Sequence, residues 1–134
     1  MKNFNDNNCC FACGSENPHG LKLSFSYNDE TGEVTSNAVF ARHFQGWQNV
    51  LHGGIVSTVL DEIMVKAAAY KGFKCVTAVL NVEFKNPAFV EQPYIIKGKV
   101  NGNRGKIVFV EGAIIDAGTG NKIIASGTGK LFIL

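Results

Sequence analysis

The sequence has little charge and no long apolar run. Asp, Glu, Lys and Arg make up 18% of the 134 residues, and the formal net charge is +2. A domain that binds nucleic acid usually carries a concentrated basic stripe, whereas the only compact basic group here is Arg104 with Lys106. No apolar run reaches the roughly 18 residues that a membrane-spanning helix needs. These absences argue against both nucleic acid and membrane as partners.

The four cysteines do not suggest a disulfide framework. Cys9, Cys10 and Cys13 lie within five residues, while Cys75 stands alone. Domains stabilised by several disulfides do not usually show this spacing. The first eight residues are polar and contain no apolar signal core. Free thiols without a secretion signal are typical of the cytoplasm, which is the predicted location.

Cys10 and Cys13 form a CxxC pair, a spacing at which zinc is often bound. A structural zinc ion takes four ligands, and Cys9, His19 or His43 would have to complete the set because no second CxxC exists. A redox pair of the thioredoxin type would follow a strand and open a helix, whereas this pair lies in a loop rich in Gly and Pro. We therefore predict neither a metal nor a cofactor.

The residues that are present predict one globular core. Apolar residues make up 46% of the chain, and a chain of this length buries roughly two-thirds of the surface that its unfolded state exposes. The length favours one domain. We predict a loop-like N-terminal segment over residues 1–20, which includes the CxxC pair, and a single folded domain over residues 21–134.

Apolar periodicity predicts two strands, one helix and four further strands. Alternation of apolar and polar residues indicates strands, and Gly-rich turns at 101–105 and 116–120 join the last three. Strands joined in this way should form an antiparallel meander. The predicted strands cover residues 21–27, 33–40, 78–85, 94–100, 106–115 and 122–134.

Residues 53–70 form the one convincing helix, with Lys71-Gly72 as its stop signal. A helix this apolar is mostly enclosed by other elements. The element order and the apolar helix together predict an α+β fold, in which a curved antiparallel sheet wraps around a long helix at about residues 53–71.

The predicted helix begins with the sequence His52-Gly53-Gly54. The first backbone N–H groups of a helix have no partner within it, and with the positive end of the helix dipole they can hold a carbonyl oxygen that gains negative charge. Glycine leaves room for an acyl group to approach closely. The alternative is a plain tight turn into a helix.

Asp61 is the candidate catalytic acid. Its neighbours three and four residues away on the helix include no cation. An unpaired carboxylate on an apolar helix is costly to bury and often marks a functional site. Glu62 has Lys66 four residues further on, an ordinary ion pair, so we interpret Glu62 as structural. The alternative for Asp61 is a solvent-facing stripe shared with Ser57.

Together these features resemble the hotdog-fold acyl-CoA thioesterases, and most closely their PaaI-like branch. The resemblance rests on His-Gly-Gly opening a buried helix, an acid nine residues after His52, the strand meander, and the lead-in Cys10-Phe-Ala-Cys13-Gly14-Ser-Glu-Asn17-Pro-His-Gly20-Leu21. It extends from about Cys10 to Leu134. It implies a hotdog fold and hydrolysis of an acyl-CoA thioester to the free acid and coenzyme A, without a metal.

The resemblance also implies a role for each site residue. Gly53 and Gly54 would supply the oxyanion N–H groups, and His52 would position the thioester or the helix start. Asp61 would act as nucleophile or general base, typically across a dimer interface from the other subunit's Gly-Gly turn. Thr77 matches the position of a hydroxyl that orients the attacking water in part of the family.

Coenzyme A carries phosphates, so basic side chains are expected near the site. The candidates are Lys85, Arg104 and Lys106, with solvated turn charges as the alternative. The predicted partner is an acyl-CoA, and the chain is expected to form a homodimer or homotetramer with active sites at the subunit interface. Two other functions stay open: a non-catalytic acyl-CoA binding or sensing protein, and a hotdog hydratase or dehydratase, although the Asp/His pattern of those enzymes is not seen.

Overall fold

The protein is built on one sheet of six antiparallel strands. The computed structural model describes residues 4–119 and 122–134. The order of strands across the sheet is β1-β2-β4-β5-β6-β3, which confirms the predicted meander of the last three strands and the α+β class. The strands are β1 (Ser26–Tyr27), β2 (Val34–Val39), β3 (Cys75–Phe84), β4 (Pro93–Arg104), β5 (Ile107–Asp116) and β6 (Ile123–Ile133).

A single long helix, α1 (Gly53–Tyr70), packs on one face of this curved sheet, as in the hotdog fold. Its bounds are those predicted, because Lys71 caps its end and Gly72 adopts a φ of 91° that stops it. Among the described residues no helix, α1 included, has the length and apolarity needed to cross a membrane. The residues of α1 that are buried against the sheet are Val56, Val59, Leu60, Ile63, Met64, Ala67 and Ala68.

Glycines in the sheet let α1 approach it closely. A Cβ atom at Gly98 of β4 would lie 3.0 Å from both Cγ1 and the carbonyl oxygen of Ile63. At Gly112 of β5, a Cβ atom would lie 3.2 Å from Cγ2 of the same isoleucine. The helix therefore lies directly on the backbone of the central strands, which accounts for the complete burial of Ile63.

The first predicted strand is mostly not a strand. Only Ser26–Tyr27 of residues 21–27 pairs with β2. Upstream, the Leu21 N–H donates to the Phe11 carbonyl at 2.8 Å and the Leu23 N–H to the Ala12 carbonyl at 3.0 Å. The backbone of residues 21–23 therefore bonds to the N-terminal segment instead of to the sheet. Ala12 is only 3% exposed, so that segment contributes to the core.

The hairpin between β4 and β5 is tighter than the sequence predicts. Residues 101–104 continue β4 past a bulge at Val100/Gly102, and only Gly105 and Lys106 separate the two strands. Gly105 has a φ of 57°, the backbone conformation that two-residue hairpins favour. The predicted turn at 116–120 ends at Gly120, which lies outside the described residues, as do residues 1–3.

Strand β3 forms one edge of the sheet. Its only neighbour among the described residues is β6, so the other edge of a ten-residue strand is unpaired. Three apolar side chains on it are exposed, namely Val76 at 38%, Val79 at 41% and Phe84 at 58%. A long edge with exposed apolar residues is a template for pairing with another strand.

Candidate active site

Asp61 and Thr77 form the first pair of predicted site residues. Asp61 is half-buried on α1, and its Oδ1 accepts a hydrogen bond of 2.5 Å from the Thr77 hydroxyl on β3. The bond leaves Oδ2 of the same carboxylate free of this contact. A carboxylate that is held by a hydroxyl on one oxygen is oriented to accept a proton on the other.

His52 and Gly54 form the second pair. His52 is the N-cap of α1, and its Nδ1 accepts from the Gly54 N–H at 2.8 Å. Since Nδ1 acts as an acceptor, the ring proton of the neutral imidazole is assigned to Nε2. A Cβ atom at Gly54 would lie 3.0 Å from this Nδ1. The ring therefore occupies the place where a carbonyl oxygen would meet the Gly54 N–H.

The two pairs do not meet within one chain. Gly54 and Asp61 are seven residues apart on α1, which corresponds to about 10 Å of axial rise. The N–H groups of the first turn point out of the helix end, away from Asp61. A reacting carbonyl has to lie about 3 Å from both a nucleophile and the oxyanion donors. In a single protomer the predicted site residues therefore form two separate groups, called half-sites below.

The start of α1 has an aromatic neighbour that the sequence did not reveal. A Cβ atom at Gly53 would lie 3.5 Å from the ring of Phe84, the last residue of β3. Phe84 is 58% exposed although it touches the helix start. Its position at the end of an alternating strand was visible in the sequence, but nothing there indicated which element it would face.

The three predicted basic residues lie at two different places. Lys85 directly follows Phe84, close to the start of α1, and is exposed. Arg104 and Lys106 lie at the β4–β5 hairpin, where the Lys106 ammonium is 6.0 Å from the centre of the Phe132 ring. Phe132 pairs with Val76, so this hairpin lies at the Thr77 end of β3. One protomer does not gather the three into a single patch.

Glu62 has different neighbours from those predicted. No ion pair with Lys66 within 4.0 Å occurs among the described residues; instead the Glu62 carboxylate lies with the thiols of Cys10 and Cys13. Burial, reinforced by the facing Glu62, raises the pKa of the Cys13 thiol from its usual 9.0 to about 12. For Lys66, burial acts to lower the pKa, but the nearby Cys13 and Glu62 have the larger combined effect, and the net result is a raised pKa.

A concavity on the sheet, in the described part of the chain, does not contain the predicted site. It has a volume of about 480 Å³ and lies across the strands, lined by residues such as Asn81, Lys97, Glu111 and Thr128. None of His52, Gly53, Gly54, Asp61 or Thr77 lines it. In the single chain, His52, Gly53, Gly54 and Thr77 are exposed and Asp61 is half-buried.

Comparison with known proteins assigns the family. Residues 48–122, more than half of the chain, match the Thioesterase superfamily, and the chain belongs to this family. It is 25% identical over 114 residues to the rat acyl-coenzyme A thioesterase THEM4, a match that covers 85% of this chain and 48% of that protein. It is 33% identical over 87 residues to an uncharacterized mitochondrial protein of Candida albicans, covering 63% and 39%. The chain thus spans at most about half the length of these curated relatives.

Solved structures show the same fold. A thioesterase superfamily protein superposes with a TM-score of 0.86 at 24% identity, over 95% of this chain and 61% of the other. The PaaI protein of the E. coli phenylacetic acid degradation operon gives 0.76 at 18%, over 85% and 80%. A hypothetical thioesterase of Streptococcus pneumoniae TIGR4, solved with coenzyme A, gives 0.75 at 17%, over 83% and 87%. These superpositions confirm the hotdog fold, and the family match confirms the resemblance to thioesterases.

Proposed function

We propose that this chain hydrolyses acyl-CoA thioesters, with Asp61 as general base. The observation that carries the proposal is the 2.5 Å hydrogen bond from Thr77 to Asp61, in a chain of the Thioesterase superfamily. It fixes one oxygen of a carboxylate that has no basic side chain within 4.0 Å among the described residues. A base held in one orientation and free of an ion pair is available for proton transfer.

The complete site is composite, made from two chains. The two half-sites of one protomer are too far apart to act on one carbonyl, and β3, which carries Thr77, has β6 as its only neighbour among the described residues. Antiparallel pairing of two β3 strands about an axis near Leu80 and Asn81 sets Thr77 opposite Phe84 of the partner subunit. Phe84 contacts the Gly53 position, so this register brings Asp61 to the partner's helix start. The 86% exposure of Trp47, just before α1, also favours association.

The chemistry then needs only side chains, backbone and water. Oδ2 of Asp61 takes a proton from a water molecule as the water oxygen attacks the thioester carbonyl carbon. The carbonyl oxygen becomes an oxyanion, held by N–H groups at the start of α1 and by the helix dipole. Collapse of the tetrahedral intermediate breaks the C–S bond, and coenzyme A leaves as a thiolate that recovers the proton from Asp61.

The His52 cap gives a reason for selective stabilisation of the transition state. To bind at the Gly54 N–H, the thioester oxygen has to displace His52 Nδ1. When a neutral carbonyl binds, the Gly54 N–H exchanges one neutral acceptor for another, with little gain in free energy. An oxyanion is the stronger acceptor, because hydrogen bonds to charged groups are about twice as strong as neutral ones. The exchange therefore favours the transition state over the bound substrate, which is the condition for a higher kcat.

Coenzyme A binding is assigned to the exposed basic residues. The β3 pairing that joins the half-sites also brings the hairpin of Arg104 and Lys106 near the partner's Lys85, since the hairpin lies at the Thr77 end of β3 and Lys85 at the Phe84 end. Three cations around one site suit a ligand with several phosphates. A cytoplasmic location and an acyl-CoA partner stay predictions.

A hydrolysis screen tests the proposal. Purified protein is incubated with short, long and aromatic acyl-CoAs, and the released thiol is measured with a chromogenic disulfide. Asp61→Asn should lower kcat by about a hundredfold or more, the contribution typical of a general base. Glu62→Gln, which removes the neighbouring carboxylate, should stay near wild type. Binding of acyl-CoA without turnover would instead support the sensing function. Loss of activity in Glu62→Gln alone would identify Glu62, and not Asp61, as the base.

Mixing two inactive variants tests the composite site. Asp61→Asn disables the base half, and Gly54→Pro removes the backbone donor at a helix position where proline is tolerated. After joint refolding, about half of the dimers are mixed and one of their two sites is intact, so about a quarter of wild-type activity should return. Asp61→Asn mixed with Thr77→Val, both defective in the base half, should show no more activity than the average of the two variants measured alone. Equal recovery in both mixtures, or none in either, would contradict a site shared between chains.

A further inference from the structure

Cys10, Cys13 and Glu62 form a cluster of potential metal ligands outside the proposed active site. One ligand atom from each, two sulfurs and a carboxylate oxygen, lie within 4.8 Å of one another, and all three residues are half-buried. The thiols come from the N-terminal segment, whereas the carboxylate comes from α1. The proposed thioesterase mechanism uses none of them.

The loop that carries the thiols of Cys10 and Cys13 is held in a tight turn by backbone hydrogen bonds. The Gly14 N–H donates to the Cys10 carbonyl at 2.9 Å, and the Ala12 N–H donates to Cys10 Sγ at 3.4 Å. A Cβ atom at Gly14 would lie 2.4 Å from the Cys10 nitrogen and 2.5 Å from the Asn8 carbonyl oxygen, so only glycine fits. An N–H aimed at a sulfur stabilises its thiolate form, which is the form that binds metals.

The charges around the cluster suit a divalent cation. Two thiolates and one carboxylate carry three negative charges, and a divalent cation leaves one, which Lys66 beside Cys13 and Glu62 would balance. Metal binding replaces the thiol protons with a charge that all three groups can share.

We propose that Cys10 Sγ, Cys13 Sγ and the Glu62 carboxylate bind a zinc ion, with a water molecule as the fourth ligand. At a Zn–S distance of about 2.3 Å, two sulfurs on a tetrahedron lie about 3.8 Å apart. The two sulfurs therefore have to close by about 1 Å at most from their 4.8 Å limit. Binding is not a redox step: two thiol protons leave as the two Zn–S bonds form.

Zinc is favoured over other metals by the mixture of ligands. Iron–sulfur clusters are usually held by four cysteines, and calcium and magnesium prefer oxygen ligands alone. Two thiolates with one carboxylate match the sulfur and oxygen ligands of four-coordinate zinc. The sequence argued against a metal because it contains one CxxC, and the third ligand comes from α1, far along the chain.

Such an ion would fasten the N-terminal segment to α1 at the residue next to Asp61. Its role in this proposal is structural, since a metal that binds only the folded state raises stability by mass action. The proposal does not depend on thioester hydrolysis, because it is tested by metal content.

The experiment measures zinc on the whole chain. Protein is reduced, stripped with a chelator, incubated with a zinc salt, and dialysed before metal analysis. We expect one zinc ion per chain, two protons released per ion, and a higher melting temperature. Cobalt(II) as a replacement should give a thiolate-to-cobalt charge-transfer band, which reports thiolate ligands in the unmutated chain.

Variants then assign the ligands. Cys10→Ser and Cys13→Ser should abolish stoichiometric binding, and Glu62→Gln should weaken it by at least about tenfold, the loss seen even for groups that only support a ligand. Cys9→Ser, which removes an exposed thiol outside the cluster, should bind as the wild type does. A reduced wild-type chain that stays free of zinc overturns the proposal. Cobalt without a charge-transfer band, or zinc lost in Cys9→Ser, overturns the ligand set.

Discussion

Replacement of Thr77 by valine isolates the contact between Thr77 and Asp61. Valine keeps the shape and the β-branched side chain that suits a strand, but it removes the hydroxyl that donates to Asp61 Oδ1 at 2.5 Å. A hydrogen bond to a charged group contributes about 1.5–3 kcal/mol. Because Thr77 is exposed and water can replace part of the bond, the lower figure applies, which corresponds to about a tenfold loss of kcat.

The assay is steady-state hydrolysis of one good acyl-CoA substrate, with kcat and KM determined separately. The loss should fall on kcat, because the hydroxyl orients the base and touches no part of coenzyme A in this mechanism. Thr77→Ser, which keeps the hydroxyl, should restore most of the activity. If the valine variant raises KM alone, or the serine variant is as slow as valine, the hydroxyl does not act by orienting Asp61.

Three further outcomes follow from the fold and the charges. Gly98→Ala should destabilise the protein by about 1–3 kcal/mol in urea denaturation, because its Cβ would meet Ile63 at 3.0 Å; Gly118→Ala, whose Cβ would meet nothing nearer than 3.4 Å, should have little effect. Arg104→Ala should raise KM for acyl-CoA more than it lowers kcat, as expected for a phosphate contact remote from the carbonyl; an unchanged KM with a lower kcat would contradict that role. Cys75 should be alkylated slowly near neutral pH, and its alkylation rate should still be rising above pH 9.0, since burial raises its pKa above that value and the thiolate is the nucleophile. Timed alkylation with peptide mass spectrometry measures this rate, and a rate that levels off below pH 9.0 would contradict the raised pKa.

The helix could be predicted from the sequence almost to the residue, and the first strand could not. Helix α1 is defined by local signals: glycines at its start, a Lys71-Gly72 stop, and an apolar composition that only burial supports. The alternation around Leu21 and Leu23 was real, since Leu23 is buried. However, the backbone partners of these residues lie in the N-terminal segment, and alternation does not say which backbone a strand-like segment will pair with.

The candidate site was predictable in its residue types but not in its contacts. Asp61 was singled out because no cation lies near it on the helix, and its partner Thr77 is on a different element. The same helical reasoning assigned Glu62 to Lys66, yet the chain path carries Cys10 and Cys13 over the helix and gives Glu62 other neighbours. Spacing along a helix predicts which side chains are within reach, whereas tertiary packing decides which of them meet.

Pairing of two chains through β3, as proposed, predicts that activity is sensitive to dilution. If each site requires two chains, turnover per chain should fall once the protein is too dilute to assemble, even though every chain is still folded. The same dilution would uncover Val76, Val79 and Phe84 along ten residues of unpaired backbone, a surface on which misassembly and aggregation begin. Pairing through β3 would thus cover this apolar surface and complete the active site at the same time.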